Sequence, residues 1–315
     1  MTKRYQLLRI AAAMVASVLL VSASSPGGAR PLGSVEQDSS APELRKVLVT
    51  DRVELHYVER GKGIPVVFVH GSLGDYSTWD AQIGPFAESY RAIAYSRRYN
   101  YPNTNQPRPN HSALVEAEDL TGFFKALDLQ KVHIVGHSYG AYAALFLAVK
   151  HPELVRTLTL AEPPVVFAGQ RVDEAKERLV TRARAAFAKG EPEEGVRTIV
   201  NSSRDGTYDK IPEPFRKRLL RNSKELEALV TSENMYPPVD PAAVRKLTVP
   251  TLLLSGAKSQ PSQKAIDDEL ERLLPEKGRQ RVVIPDADHS MWFQQPEACR
   301  KAVLAFLKGN GFPVP

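Results

Sequence analysis

From Val47 onward the chain alternates short apolar runs with stretches of helical spacing. Val47–Thr50 and Val53–Glu59 read as an early pair of strands. In Val53-Glu54-Leu55-His56-Tyr57-Val58 the apolar and polar positions alternate with the period of two expected of a strand with one wet face. Pro65–Val69 is instead a continuous apolar run, as expected of a strand buried on both faces, and Tyr90–Tyr95 and Lys131–Val135 read the same way. Val155–Ala161, Thr251–Leu254 and Gln280–Ile284 are further strands. Ser112–Leu127 and Ala141–Lys150 have helical spacing, and Pro296–Lys308 is a closing amphipathic helix. Strands alternating with helices predict an α/β fold: a mostly parallel central sheet with helices on both faces.

One region breaks the alternation. Residues 163–248 contain no buried strand pattern but several charged helical ones, such as Val172–Lys189 and Pro214–Thr231. The region carries 16 Lys and Arg against 13 Asp and Glu, too polar for an independent second core. It reads as a helical lid inserted after the sixth strand, dividing the core into 45–162 and 249–315. A second packed layer of helices is the plainer alternative.

The N-terminus has a different character. Lys3, Arg4 and Arg9 form a basic region, Ile10–Val21 is apolar apart from Ser17, and Val21-Ser22-Ala23 offers small residues for cleavage. A stretch of twelve residues is short for a spanning helix, which needs roughly 20. Residues 1–23 therefore read as a signal peptide, and the Ser-, Gly- and Pro-rich stretch 24–44 as a flexible linker. The mature protein is expected near Ser24, exported to the periplasm or secreted, with no stable membrane insertion after cleavage. Loss of the three basic residues lowers the formal charge from +6 to +3. No basic run with interleaved aromatics remains, so a nucleic-acid partner is not expected. Cys299 is the single cysteine, which excludes an internal disulfide and a cysteine-based metal cluster.

Three short segments carry candidate chemistry. Gly136-His137-Ser138-Tyr139-Gly140 fits G-x-S-x-G, a pentapeptide that is weak alone but stands here between a strand and an Ala-rich helix. A serine on that turn is lifted above the sheet edge as a nucleophile. The flanking positions must be glycine because side chains there collide with neighbouring backbone. His70-Gly71-Ser72 ends the strand Pro65–Val69, where the backbone N–H groups of Ser72 and Tyr139 can face a substrate carbonyl. Such oxyanion donors are worth roughly 3 kcal/mol each. His70 is read as holding its loop by a side-chain hydrogen bond. His289, just past the last strand, is placed to take the Ser138 proton, whereas His56, His111, His133, His137 and His151 lack a matching position.

The order of these segments resembles the α/β-hydrolase superfamily, in its lidded serine-hydrolase branch, from about Val47 to Lys308. The matching stretches are His70-Gly71-Ser72, Tyr95-Ser96-Arg97-Arg98, Gly136–Gly140, Val249–Gly256 and Ala287-Asp288-His289. The resemblance implies a cofactor-free hydrolase and says little about the substrate, which is expected to be a small molecule; no metal-ligand spacing appears in the sequence. It also exposes a departure. Family members usually place the triad acid three positions beyond a glycine like Gly256, and that position is Ser259 here. Relatives such as haloalkane dehalogenases place it after the preceding strand, which in this chain ends in Glu162-Pro163-Pro164. Glu162 is thus the expected acid; Asp286 and Asp288 lie awkwardly close to His289. Arg97 and Arg98 are expected to form loop-holding salt bridges, and Asp75, Trp79, Tyr101 and Tyr139 to line the pocket.

The expected reaction is acyl transfer to water from an ester, thioester or lactone, through an acyl-enzyme on Ser138. A cofactor-free perhydrolase or a carbon–carbon bond hydrolase would use the same groups. A non-catalytic ligand binder with a relic triad is the alternative of another class. Substrate identity and oligomeric state stay open at this level.

Overall fold

The computed structural model describes residues 42–170, 174–202 and 207–310. The signal peptide read at 1–23, and the linker as far as residue 41, lie outside them. Among the described residues no helix is long and apolar enough to cross a membrane.

Eight strands form one sheet: β1 (Arg45–Thr50), β2 (Val53–Arg60), β3 (Pro65–Val69), β4 (Arg91–Tyr95), β5 (Val132–His137), β6 (Val155–Ala161), β7 (Thr251–Gly256) and β8 (Arg279–Ile284). Their order is β1-β2-β4-β3-β5-β6-β7-β8. β2 runs antiparallel to both its neighbours, and every pair from β4 to β8 is parallel. All eight lie where the apolar pattern put them, with ends displaced by two residues at most. Chain leaves β3 toward β4 on one side, and β5 lies on the other. This topological switch point is where open α/β sheets form a crevice at the carboxyl ends of their strands.

Helices α1 (Asp80–Ala87), α2 (Ala113–Ala126) and α3 (Tyr139–Lys150) precede β6. Six more, α4 (Glu174–Ala188), α5 (Pro192–Val200), α6 (Thr207–Lys210), α7 (Glu213–Arg221), α8 (Ser223–Val230) and α9 (Pro241–Arg245), fill the insertion between β6 and β7. α10 (Pro261–Leu273), α11 (Met291–Gln294) and α12 (Pro296–Gly309) follow β7. Alternation along the strands splits the core in two. Val66 and Phe68 pack with Phe86 of α1 and Phe306 of α12. Val67 and Val69 belong to the opposite cluster, with Phe123 of α2 and Leu145 of α3.

The insertion shares that second cluster: Phe187, Val196, Tyr208, Leu226 and Leu229 are buried in it alongside sheet residues. Its two ends are tied together where Val239 N–H donates to Val166 O and Ala168 N–H to Val239 O, both at 2.8 Å. The single helix expected over Pro214–Thr231 is in fact two, α7 and α8, parted at Asn222 (φ −102°, ψ 10°). The physical reason is tertiary. The Asn222 amide donates to Arg218 O and Asp75 Oδ2 and accepts from Tyr101 N–H, so its side chain caps α7 rather than facing solvent within one helix.

Candidate active site

The turn between β5 and α3 is tight because glycine makes it possible. A Cβ on Gly140 would lie 2.3 Å from His70 O, and one on Gly136 2.6 Å from Ala141 Cα. Between them Ser138 takes φ 51° and ψ −124°, a left-handed conformation that costs about 1–3 kcal/mol in a non-glycine residue. Its N–H is anchored at 2.8 Å to Ala161 O, the last residue of β6.

His289 stands on the loop between β8 and α11, with Nε2 3.0 Å from Ser138 Oγ and Nδ1 2.8 Å from Glu162 Oε2. Three residues read from separate segments thus form one hydrogen-bonded chain. Glu162 follows β6 directly, is fully buried and holds φ 48°. Its second oxygen accepts from Gly256 N–H at 2.7 Å and from Ser259 Oγ–H at 2.5 Å. Burial alone would raise the Glu162 pKa. The hydrogen bond and charge of His289, with the Ser259 and Gly256 donors, outweigh burial and hold it below the ordinary carboxylate value. Ser259, at the position where an acid was missed, therefore donates to the acid that β6 supplies. Asp286 faces exposed Lys258 at 2.9 Å and Asp288 bonds Ser290 N–H, so both turn away from the imidazole.

His137, passed over in the sequence, supports the loop. Its Nε2–H donates to His289 O at 2.9 Å and its ring centroid lies 4.9 Å from that of His289. Burial, reinforced by the neighbouring His289, pushes the His137 pKa down to about 3, so the ring is neutral. Its position inside the elbow was the one available clue.

The β3 loop presses against the elbow: a Cβ on Gly71 would lie 2.9 Å from Ser138 Cβ. Ser72 is half-buried beside it, and Tyr139 heads α3, where N–H groups have no acceptor within the helix. His70 is fully buried, with Nδ1 2.8 Å from Gly71 O while Nε2 accepts from Arg97 N–H at 3.0 Å. Burial and the Arg97 charge lower its pKa to about 3, in keeping with a loop-holding residue.

Arg97 and Arg98 are both buried in salt bridges. Arg98 meets Asp119 in a bidentate pair at 2.6 and 2.5 Å. Arg97 reaches Glu116 at 3.2 Å and Glu225 of α8 at 2.7 Å. Burial pushes the Glu116 carboxyl up, but Arg97 above all brings it down to about 2. The expected pocket lining fares differently. Asp75 is fully buried and engaged by Arg221 and Asn222, each at 2.8 Å, so it faces the insertion. Trp79 packs in the core against Trp292 and Phe68. Tyr101 lies under the Arg221 guanidinium, 4.2 Å from its ring. Tyr139 is buried, its hydroxyl donating to Met235 O at 2.7 Å. None of the four lines either of two cavities among the described residues. One, about 310 Å³, lies between α4 and residues 232–236, and has Met235 and Tyr236 in its wall. The other, about 300 Å³ around Arg52 and Arg108, shares no residue with the Ser138 chain. The first is lined wholly by the insertion and has no residue of the Ser138 chain either; Tyr139 reaches its wall by the hydrogen bond to Met235 O.

A 2-(acetamidomethylene)succinate hydrolase from Mesorhizobium japonicum is 25% identical over 268 residues, covering 81% of this chain and 92% of its own. A 2-hydroxy-6-oxo-6-(2'-aminophenyl)hexa-2,4-dienoic acid hydrolase from Metapseudomonas resinovorans is 25% identical over 297 residues, 87% of this chain and 94% of its own. Among solved structures, a thermophilic esterase from Thermogutta terrifontis superposes with a TM-score of 0.71 at 24% identity, over 86% of this chain and 100% of that one. Residues 66–302 match the sequence pattern of the alpha/beta hydrolase family, a span that runs from β3 to α12 and holds the whole Glu162–His289–Ser138 chain. The protein belongs to the alpha/beta hydrolase family.

Proposed function

We propose that this protein is a serine hydrolase that cleaves an ester-type bond of a small molecule through an acyl-enzyme on Ser138. The observation that carries the reading is the continuous Glu162–His289–Ser138 hydrogen-bonded chain beside the Ser72 loop. In the first step His289 Nε2 takes the Ser138 proton as Oγ attacks the carbonyl carbon, and the carbonyl oxygen becomes an oxyanion held by the Ser72 and Tyr139 N–H groups. Glu162 stabilises the imidazolium that forms. Collapse expels the leaving group, which takes the proton from His289. Water then repeats the sequence on the acyl-enzyme, with His289 again as base. The neighbouring esterase fold supports this class of substrate. The inserted helices act as the lid over the sheet edge that carries Ser138.

The full chain should react with a fluorophosphonate probe and hydrolyse p-nitrophenyl esters, with acyl preference read from a graded panel. Absence of both labelling and turnover would overturn the reading. We further infer export, on the strength of the basic and apolar residues 3–21. N-terminal sequencing of the native protein should start near Ser24; an intact Met1 would refute it.

A further inference from the structure

Ser72 brings one N–H to the oxyanion, and the other end of that same peptide is the Gly71 carbonyl. A trans peptide is planar, with its C=O and N–H pointing opposite ways, so whatever fixes the carbonyl aims the N–H. Gly71 O has three donors: Gly74 N–H at 3.2 Å, His70 Nδ1 at 2.8 Å and Arg97 Nη2 at 3.3 Å. The last is a fully buried cation, and its guanidinium also lies 5.4 Å from the ring of Tyr139, which carries the second oxyanion N–H. Arg97 is held in turn by Glu225 Oε1 at 2.7 Å. The other oxygen of that carboxylate, Oε2, accepts the Leu73 N–H at 3.1 Å, and Leu73 is in the left-handed region at φ 60°. One buried carboxylate from α8 therefore grips the residue after Ser72 directly, and the residue before it through Arg97.

We propose that Glu225 is a positioning residue for the oxyanion hole, coupling the docked insertion to the aim and strength of the Ser72 N–H. Hydrogen bonds and positive charge at a carbonyl polarise the whole amide, so Arg97 makes the Ser72 N–H a stronger donor, as well as a correctly directed one. The inference rests on the acyl-transfer reading above and goes beyond it by assigning a function to a lid residue that touches no reacting atom.

The test compares the full-length wild type with Glu225→Gln and Glu116→Gln. Both variants remove one carboxylate from Arg97, but only Glu225 also holds the β3 loop. Each protein is assayed on p-nitrophenyl butyrate and on its thionoester, whose C=S sulfur is a poor hydrogen-bond acceptor and takes little help from oxyanion donors. Losing a donor outright costs roughly 10²–10³-fold in kcat, and loosening one should cost about a tenth of that range. Glu225→Gln should thus lower kcat for the oxoester by about 10- to 100-fold with KM within about threefold, while the thionoester rate falls far less. The oxo-to-thiono ratio should then drop about tenfold or more. Glu116→Gln should lower the melting temperature yet keep the ratio within about twofold of wild type. Should Glu225→Gln not fold, Glu225→Asp, which keeps the charge but is too short to reach both partners, should show the same drop. An unchanged ratio in a folded Glu225 variant would overturn the proposal and leave Glu225 a structural ion pair. Wild type that neither labels nor hydrolyses either ester would instead overturn the acyl-transfer reading, a result visible before any variant is made.

Discussion

At the carboxyl ends of β5, β6 and β7 the side chains are set by buried backbone. Ser138 is tied to β6 through Ala161 O, and Glu162 to β7 through Gly256 N–H, within strands whose residues are almost all buried. The insertion is fastened differently where it meets the β3 and β4 loops. There the contacts are charged or amide groups: Arg221 and Asn222 on Asp75, Glu225 on Arg97 and Leu73, Arg218 on Thr78. Apolar packing into the second cluster adds area but little direction, whereas these polar contacts fix one docking geometry. The sheet edge should therefore govern chemistry and the clamps how firmly the insertion is held, with Glu225 the clamp that reaches from one to the other through Arg97 and Leu73.

Ser138→Ala gives the largest separation of the two. It should reduce kcat by about 10⁵–10⁶-fold, since loss of the nucleophile alone costs nearly what loss of the whole triad does. Thermal unfolding followed by circular dichroism should hardly move, because the methyl fits the same space. Turnover near wild type would remove the elbow from the mechanism.

Next in size is Glu162→Gln, which keeps volume and hydrogen bonding but not charge. A wrong tautomer and an unstabilised imidazolium should lower kcat by about 10³–10⁴-fold. Adding Ser259→Asp should return part of that loss, since it restores a carboxylate at the end of β7, next to the side chain at 162 and at the position where family members usually carry the acid. Stability changes in a definite direction with pH. The folded Glu162 pKa lies below its ordinary value of 4.5, so its charge contributes stability that is fully present above that value. The contribution fades as pH falls through the depressed pKa. Urea titrations should thus show wild type and Glu162→Gln converging in acid and diverging toward neutrality; a constant gap would refute the pKa direction.

These expectations also mark how far the sequence could be read. The central strands were legible because a sheet covered on both faces favours apolar runs, and β3 begins and ends where its run does. Ser138 and His289 were legible because each stands just past a strand pattern, whereas Glu162 was legible only through the family resemblance, which points to the end of β6 when position 259 is a serine. The clamps were not. Glu225 lies 152 residues from Leu73 and Asn222 lies 147 from Asp75, and nothing local in a charged helical pattern distinguishes a buried carboxylate from a solvated one. The same blindness made Asp75 look like pocket lining and α7 and α8 look like one helix.

Asn222→Ala reverses the balance seen at Ser138. It removes a donor to buried Asp75, an acceptor for Tyr101 N–H and the cap on Arg218 O. Loss of these bonds should cost about 3 kcal/mol, lowering the melting temperature by about 6–10 °C. Activity at 25 °C should stay within about tenfold of wild type, as no triad contact is touched. A steep fall in kcat with little loss of stability would show that the clamps and the sheet edge are not separable as argued.

Ser259→Ala should have the smallest effect on turnover, and it asks whether the β7 end is a helper or a partner in the acid's work. Ser259 Oγ–H gives Glu162 one of its two donors on Oε1, and Gly256 N–H gives the other. Removing the hydroxyl loosens the carboxylate, which lowers the rate. It also leaves more charge on Glu162 to be shared with His289, which raises it. The two effects oppose each other, so kcat at pH 7 should stay within about threefold of wild type, far from the loss expected of Glu162→Gln. Stability gives the clearer reading. A hydrogen bond to a buried charge is worth about 1.5 kcal/mol or more, and Ser259 is too buried for water to replace it freely. That cost should be present at neutral pH and shrink in acid, where Glu162 is protonated and the donor loses its charged partner. If Ser259→Ala instead matched Glu162→Gln in lost turnover, the hydroxyl would be an obligatory member of the acid, and the two strand ends would share a role that the geometry gives to β6 alone.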